Sequence, residues 1–98
     1  MPGNKPLYKI FYSSDVIKID LPKLDNKIKD IIKRKIERLK LEPYSGFPLG
    51  GKLGKLYKLK VSKYRVVYDV RNYDFTIVII AIGKRDNAMI YKLAEKRI

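Results

Sequence analysis

Counting back from one turn places three cations on one surface. Ser62-Lys63 reads as a two-residue hairpin turn between strands Lys55–Val61 and Tyr64–Arg71. That turn pairs Val61 with Tyr64, Lys60 with Arg65, and Lys58 with Val67. Side chains alternate along a strand, so Lys58, Lys60 and Arg65 share a face. Tyr57, Leu59, Val61, Val66 and Tyr68 take the core positions around them. Lys60 opposite Arg65 is a like-charge pair, which weakens a hairpin. A ligand of opposite charge resolves such a conflict. The other resolution is geometric: both side chains snorkel outward and avoid each other.

Gly83-Lys84-Arg85 adds two cations where the last strand ends. Continued alternation puts Lys84 on the Lys60/Arg65 face, unless a bulge at Gly83 resets the register in favour of Arg85. Tyr91 lies about one and a half helical turns further on. It either folds back over the cationic face or packs in the core, and periodicity alone favours packing.

The chain has 98 residues, 23 Lys+Arg against 10 Asp+Glu, and a net charge of +13, with neither His nor Cys. That length holds one domain, 1–98, which buries roughly 60–65 % of its unfolded surface. The missing residue types exclude disulfides, zinc-thiolate sites, thiol nucleophiles and the usual neutral-pH general base. No cofactor and no metal site is expected. A field of +13 draws polyanions, with nucleic acid the default partner. A Lys-rich surface selected for solubility is the plain alternative. Cations and rings interleave through 55–85, which suits phosphate contact and base stacking, although strands also take aromatics for packing alone.

Such a face has one natural reaction. A phosphodiester gains negative charge as it reacts, and preorganised Lys and Arg stabilise that charge. RNA carries its own nucleophile, the 2′-hydroxyl. A protein need only align it, assist deprotonation and hold the developing charge. Lys60, crowded by Lys58 and Arg65, is the candidate base.

The elements follow from periodicity. Leu7–Tyr12 alternates as a first strand. Ser13-Ser14-Asp15 caps a short helix over Asp15–Asp20, stopped near Pro22. Leu24, Ile28, Ile31, Ile32, Ile36 and Leu39 mark one face of a helix from Leu24 to Leu41. Residues 43–54 form a Pro/Gly-rich loop. Lys55–Val61, Tyr64–Arg71 and Phe75–Gly83 are strands, the last apolar enough to be central. Asp86–Arg97 is a final helix whose apolar side is Ala88, Met89, Leu93 and Ala94. The order β-α-α-β-β-β-α predicts an α+β fold: a mostly antiparallel four-stranded sheet with helices packed against it. Residues 1–6 read as a loosely held end. No apolar run approaches a membrane span and no signal peptide is visible, so a cytoplasmic location is expected. Gly46 to Lys52 fits a phosphate-loop spacing, but Leu53 stands where Ser or Thr must bind magnesium, and no strand precedes it.

Leu56 to Val61, Tyr64 to Val70, Ile82-Gly-Lys-Arg-Asp86 and the trailing Tyr91 together resemble the RelE/ParE superfamily of toxin–antitoxin toxins, and more closely its RelE-type messenger-RNA interferase branch. The resemblance covers nearly the whole chain. It implies an endoribonuclease that cleaves mRNA in the ribosomal A site and inhibits translation. It implies Lys60 as base and Arg65 as transition-state stabiliser. It implies Arg85 beside the leaving 5′-oxygen and Tyr91 stacked on a base, and it puts the family's two strand lysines on Lys58 and Lys60; Lys58, and Lys84 by the alternation above, are the expected RNA contacts. No residue is carried over from the 43–54 loop. The implied partner is an acidic, RelB-like antitoxin, for which a +13 surface is a fitting target. Two other readings stand beside it: a ParE-like toxin that poisons DNA gyrase without cutting RNA, and a basic nucleic-acid-binding module with no activity.

Overall fold

The computed structural model describes residues 7–98, apart from the side chain of Asn87. The loosely held end expected at 1–6 lies outside them. The strands are β1 (Lys9–Tyr12), β2 (Phe47–Pro48), β3 (Leu56–Val61), β4 (Tyr64–Arg71) and β5 (Thr76–Lys84). The helices are α1 (Asn26–Glu37) and α2 (Met89–Arg97). The sheet runs β1-β5-β4-β3-β2, with β1 parallel to β5 and the other neighbours antiparallel. The α+β class holds, with five strands in place of the expected four.

The extra strand is β2, inside the segment expected to be all loop. Gly46 lets it form: a Cβ there would lie 2.5 Å from the Lys58 carbonyl oxygen and 2.6 Å from the Tyr68 hydroxyl. Pro48 lacks an N–H, which an edge strand tolerates. Leu49 N–H continues the pairing to Leu56 O at 2.9 Å.

The sheet is covered on both faces. On one, Ile32, Ile36 and Leu39 of the α1 side pack against Val61, Val66, Tyr68, Ile77, Ile79 and Ile82. Asp25 caps α1 by accepting the Ile28 N–H at 3.0 Å. The buried residues follow steps of three and four from Leu24 to Leu39, and Ile31 falls beside that row and stays exposed. On the other face, Ile90 and Ala94 of α2 pack against Leu56, Val67, Ile80 and Ala81. β5 is therefore apolar on both sides, as its composition requires.

Three local expectations need correction. The segment after Ser13 is not a regular helix: Val16–Asp20 forms a wide π-type turn and Leu21–Lys23 a tight 3₁₀ turn around Pro22. α1 gives way to a 3₁₀ turn at Arg38–Lys40, short of Leu41. α2 starts only at Met89, because Ala88 sits at φ 56° and breaks the helical run from Asp86. Its buried side is Ile90 and Ala94; Met89 is exposed.

Beyond Tyr12, β5 loses its parallel neighbour, and a β-bulge at the same level reverses its phase. Val67 pairs with Ala81 but Tyr68 with Ile79, leaving Ile80 over. Ile80 O and Ile82 N–H then face the vacated edge. A buried ion pair takes them: Arg97 Nη1 donates to Ile80 O at 3.0 Å, and Asp20 Oδ2 accepts Ile82 N–H at 2.9 Å. Arg97 also donates to the two oxygens of Asp20 at 2.7 and 3.0 Å. The bonds to Asp20 raise the guanidinium pKa above its ordinary value. Among the described residues no helix is long and apolar enough to cross a membrane.

Candidate functional site

The hairpin has the register counted from its turn: Val61–Tyr64, Lys60–Arg65 and Lys58–Val67 are pairs. Ser62 makes the turn at φ 55°. Lys58, Lys60 and Arg65 therefore share the α2 face of the sheet, beyond the part that α2 covers. The like-charge pair relaxes by splaying. Arg65 Nη1 folds back to Tyr64 O at 2.8 Å and Ser62 O at 3.1 Å. Lys60 leans the other way, its Nζ 4.7 Å from the Phe47 ring centroid. The opposition alone thus needs no anion to resolve it. What remains is that none of Lys58, Lys60, Arg65 and Arg85 has a carboxylate within 4.0 Å among the described residues.

The bulge at Ile80 decides the exit. With the phase reversed, Gly83 pairs with Arg65 and Lys84 with Tyr64. Lys84 thereby moves to the α1 face, where it lines a cavity of about 480 Å³ with Tyr64, Lys23, Leu24 and Met89. The structure therefore does not bring Lys84 to the face of Lys58, where continued alternation had placed it. The reset comes from Ile80, upstream of Gly83. Gly83 serves packing instead: a Cβ there would lie 3.1 Å from Ile90 Cδ1, so its absence seats α2. Arg85 follows, with its N–H on Lys63 O at 2.9 Å, which fixes the exit beside the hairpin tip.

Tyr91 does both things its position allowed. It is half-buried and packs against the core cluster that includes Leu53 and Ile90. The same ring lies 5.6 Å from Lys58 Nζ, so α2 presents it to the cationic face. Among the described residues no three acidic side chains converge in the manner of a metal site.

Two contributors escaped the sequence reading. Phe47 joins the face through β2. Tyr68 holds that strand: its buried hydroxyl donates to Pro43 O at 2.9 Å and accepts Gly46 N–H at 3.1 Å. Burial pushes the phenol pKa up, against the lowering effect of the Gly46 bond. The signal for Phe47 was an aromatic between Gly46 and Pro48, in a loop with no other reason to carry one. For Tyr68 the alternation gave burial, and nothing gave its partners.

The assembled surface is a row of unpaired cations closed by an aromatic ring, which suits a phosphate backbone with an adjacent base. Comparisons with known proteins give the family. The family described as the ParE toxin of type II toxin–antitoxin systems, parDE, matches residues 12–89. An Escherichia coli protein described as a RelE-like toxin is 30 % identical over 92 residues, covering 92 % of this chain and 96 % of that protein. The structure of free E. coli RelE toxin, as an arginine double mutant, superposes with a TM-score of 0.79 at 26 % identity, covering 94 % of this chain and 98 % of that one. The archaeal RelE–RelB complex from Pyrococcus horikoshii gives 0.71 at 25 % identity, covering 83 % and 98 %. The chain thus belongs to the RelE/ParE family and is a toxin of a type II toxin–antitoxin system.

Proposed function

We propose that this toxin is a ribosome-dependent endoribonuclease that cuts mRNA in the A site by attack of the RNA's own 2′-hydroxyl. The observation that supports it best is that Lys58, Lys60 and Arg65 share one face without carboxylate partners among the described residues, with the Tyr91 ring against Lys58 and Arg85 leaving beside the hairpin tip. In the reaction the O2′–P bond forms and the P–O5′ bond breaks, leaving a 2′,3′-cyclic phosphate and a 5′-hydroxyl. The Lys60 amine accepts the 2′-hydroxyl proton. Arg65 stabilises the charge on the non-bridging oxygens. Arg85 steadies the departing 5′-oxygen, which takes its proton from water, because a guanidinium is a poor proton donor. Tyr91 stacks on a base and holds the nucleotide in line. Lys58 contacts phosphate. The chemistry calls on no metal ion.

The ribosome enters because these groups orient weakly on their own. Free RNA is therefore a poor substrate. An acidic, RelB-like antitoxin is the proposed inhibitor, supported by charge complementarity and by the RelE–RelB complexes among structurally similar proteins. The site of action is the cytoplasm, where the ribosomes are.

The test is primer extension on a short message with programmed ribosomes, EDTA-washed protein and an Arg85→Ala control. Discrete A-site breaks from the wild type alone are expected. An intact message at excess protein, beside an active control toxin, overturns the reading. The second reading is favoured by one observation: the matching family carries the ParE name. It predicts an intact message together with inhibited gyrase supercoiling.

A further inference from the structure

Phe47 has no role in the reaction proposed above, and its position is hard to explain by packing. It stands opposite Lys58 in the β2–β3 pair, which puts it on the Lys58 face. Its ring is 54 % exposed, so burial stabilises it little. The strand that carries it is nevertheless pinned on both sides. Before it, the Tyr68 hydroxyl bonds Pro43 O and Gly46 N–H. After it, Leu49 N–H bonds Leu56 O. Gly46 could not carry a side chain without pushing β2 off Lys58. A fully buried hydroxyl and a close backbone approach thus hold one exposed ring in place.

The ring also completes a pattern. Phe47 lies beside Lys60 at 4.7 Å, and Tyr91 beside Lys58 at 5.6 Å. Two rings flank two lysines on one surface. Sites for single-stranded nucleic acid are built this way, with cations following the backbone and successive bases stacked on rings.

We propose that Phe47 is a second base-stacking platform, receiving a nucleotide on the opposite side of the reacting phosphate from the base on Tyr91. The proposal rests on the RNA-cleaving reading and names a further substrate contact for the same site. A phenyl ring has no hydrogen-bonding group, so the platform holds any base without reading its identity. It moves no proton, so its loss shows in KM rather than kcat.

The experiment compares wild type, Phe47→Leu and Phe47→Tyr, each checked for an unchanged melting temperature. Leucine keeps apolar cover over Lys60 but has no π face; tyrosine keeps the ring. On programmed ribosomes, Phe47→Leu is expected to raise KM about 5- to 150-fold, the range for one stacked base, with kcat within about threefold. Phe47→Tyr restores KM. In parallel, 2-aminopurine is moved along a short RNA that carries 2′-deoxyribose at the scissile nucleotide and is bound to the toxin with and without ribosomes. Stacking quenches its emission at one position in the wild type, and that quench is lost in Phe47→Leu alone.

Cleavage by the wild type with no change of KM or quench in Phe47→Leu overturns the proposal and leaves the nuclease reading standing. A wild type that cuts no message fails the nuclease reading, and the quench on bound RNA still decides the platform. Weaker binding of an acidic protein partner, with RNA quench unchanged, overturns the proposal in favour of a protein contact.

Discussion

Removing Arg97 is expected to unfold much of what α2 is needed for. Asp20 and Arg97 have side chains 3 % and 8 % exposed. The Asp20 carboxylate accepts three hydrogen bonds, two from Arg97 and one from Ile82 N–H. Arg97→Ala strips away two of them, leaves Ile80 O without its donor, and strands a carboxylate in the core. Breaking a buried pair from one side costs about 3–5 kcal/mol. The whole domain is worth about 5–15 kcal/mol. At about 4–8 °C per kcal/mol for a chain of this size, the melting temperature falls by roughly 12–40 °C. The assay is thermal and urea unfolding followed by circular dichroism, for wild type, Arg97→Ala, and the double change Asp20→Leu with Arg97→Met. The double variant is expected to recover most of the loss, because it removes both charges together. A loss below about 1 kcal/mol in Arg97→Ala would refute the reasoning, since that is the range of a solvated surface pair.

Tyr68→Phe orphans Pro43 O and Gly46 N–H and should cost about 1–3 kcal/mol in urea unfolding. Because the folded-state phenol pKa is raised, its stabilising contribution is full below about pH 10, the unfolded value, and is lost as pH climbs through the folded value. Urea midpoints between pH 9 and 11 should fall less steeply in Tyr68→Phe; parallel slopes would contradict this. Gly46→Ala meets backbone and should destabilise by about 1–3 kcal/mol, whereas Gly83→Ala meets only the end of Ile90 and should cost under about 1 kcal/mol; equal losses on thermal melting would show the contacts misread. Lys58→Ala should weaken RNA binding for all sequences alike and lower the salt slope by about one, read from anisotropy titrations at several salt concentrations.

The hairpin face was legible because a two-residue turn admits one register, and every pair down to Lys58–Val67 follows from it. The α1 stripe was legible because its apolar steps match a helix. The exit was not. Ile79, Ile80, Ala81 and Ile82 are all apolar and both faces are buried, so alternation carries no phase and a bulge leaves no mark. β2 was missed because a two-residue strand ending in Pro is written in loop residues. The Asp20–Arg97 pair was missed because 77 positions separate them, and Asp20 reads as a solvent-facing acid in a short helix. Asp20 and Arg97 meet only when β1 stops early and leaves β5 an open edge.

The bulge also bears on how roles are transferred between relatives. A single surplus residue takes up one step of the alternation here, so every residue downstream in the strand faces opposite to where plain counting puts it. Ile80 and Ala81 both face α2, and without that bulge the same letters in strict alternation from Ile79 would turn Gly83 toward α1 and Lys84 onto the hairpin's cationic side. Two chains that align without a gap across β5 but differ in whether the strand carries the bulge would thus offer different exit cations to the same substrate. Functional assignment of this segment has to follow backbone phase, because the letters Gly-Lys-Arg do not say which of them faces the chemistry.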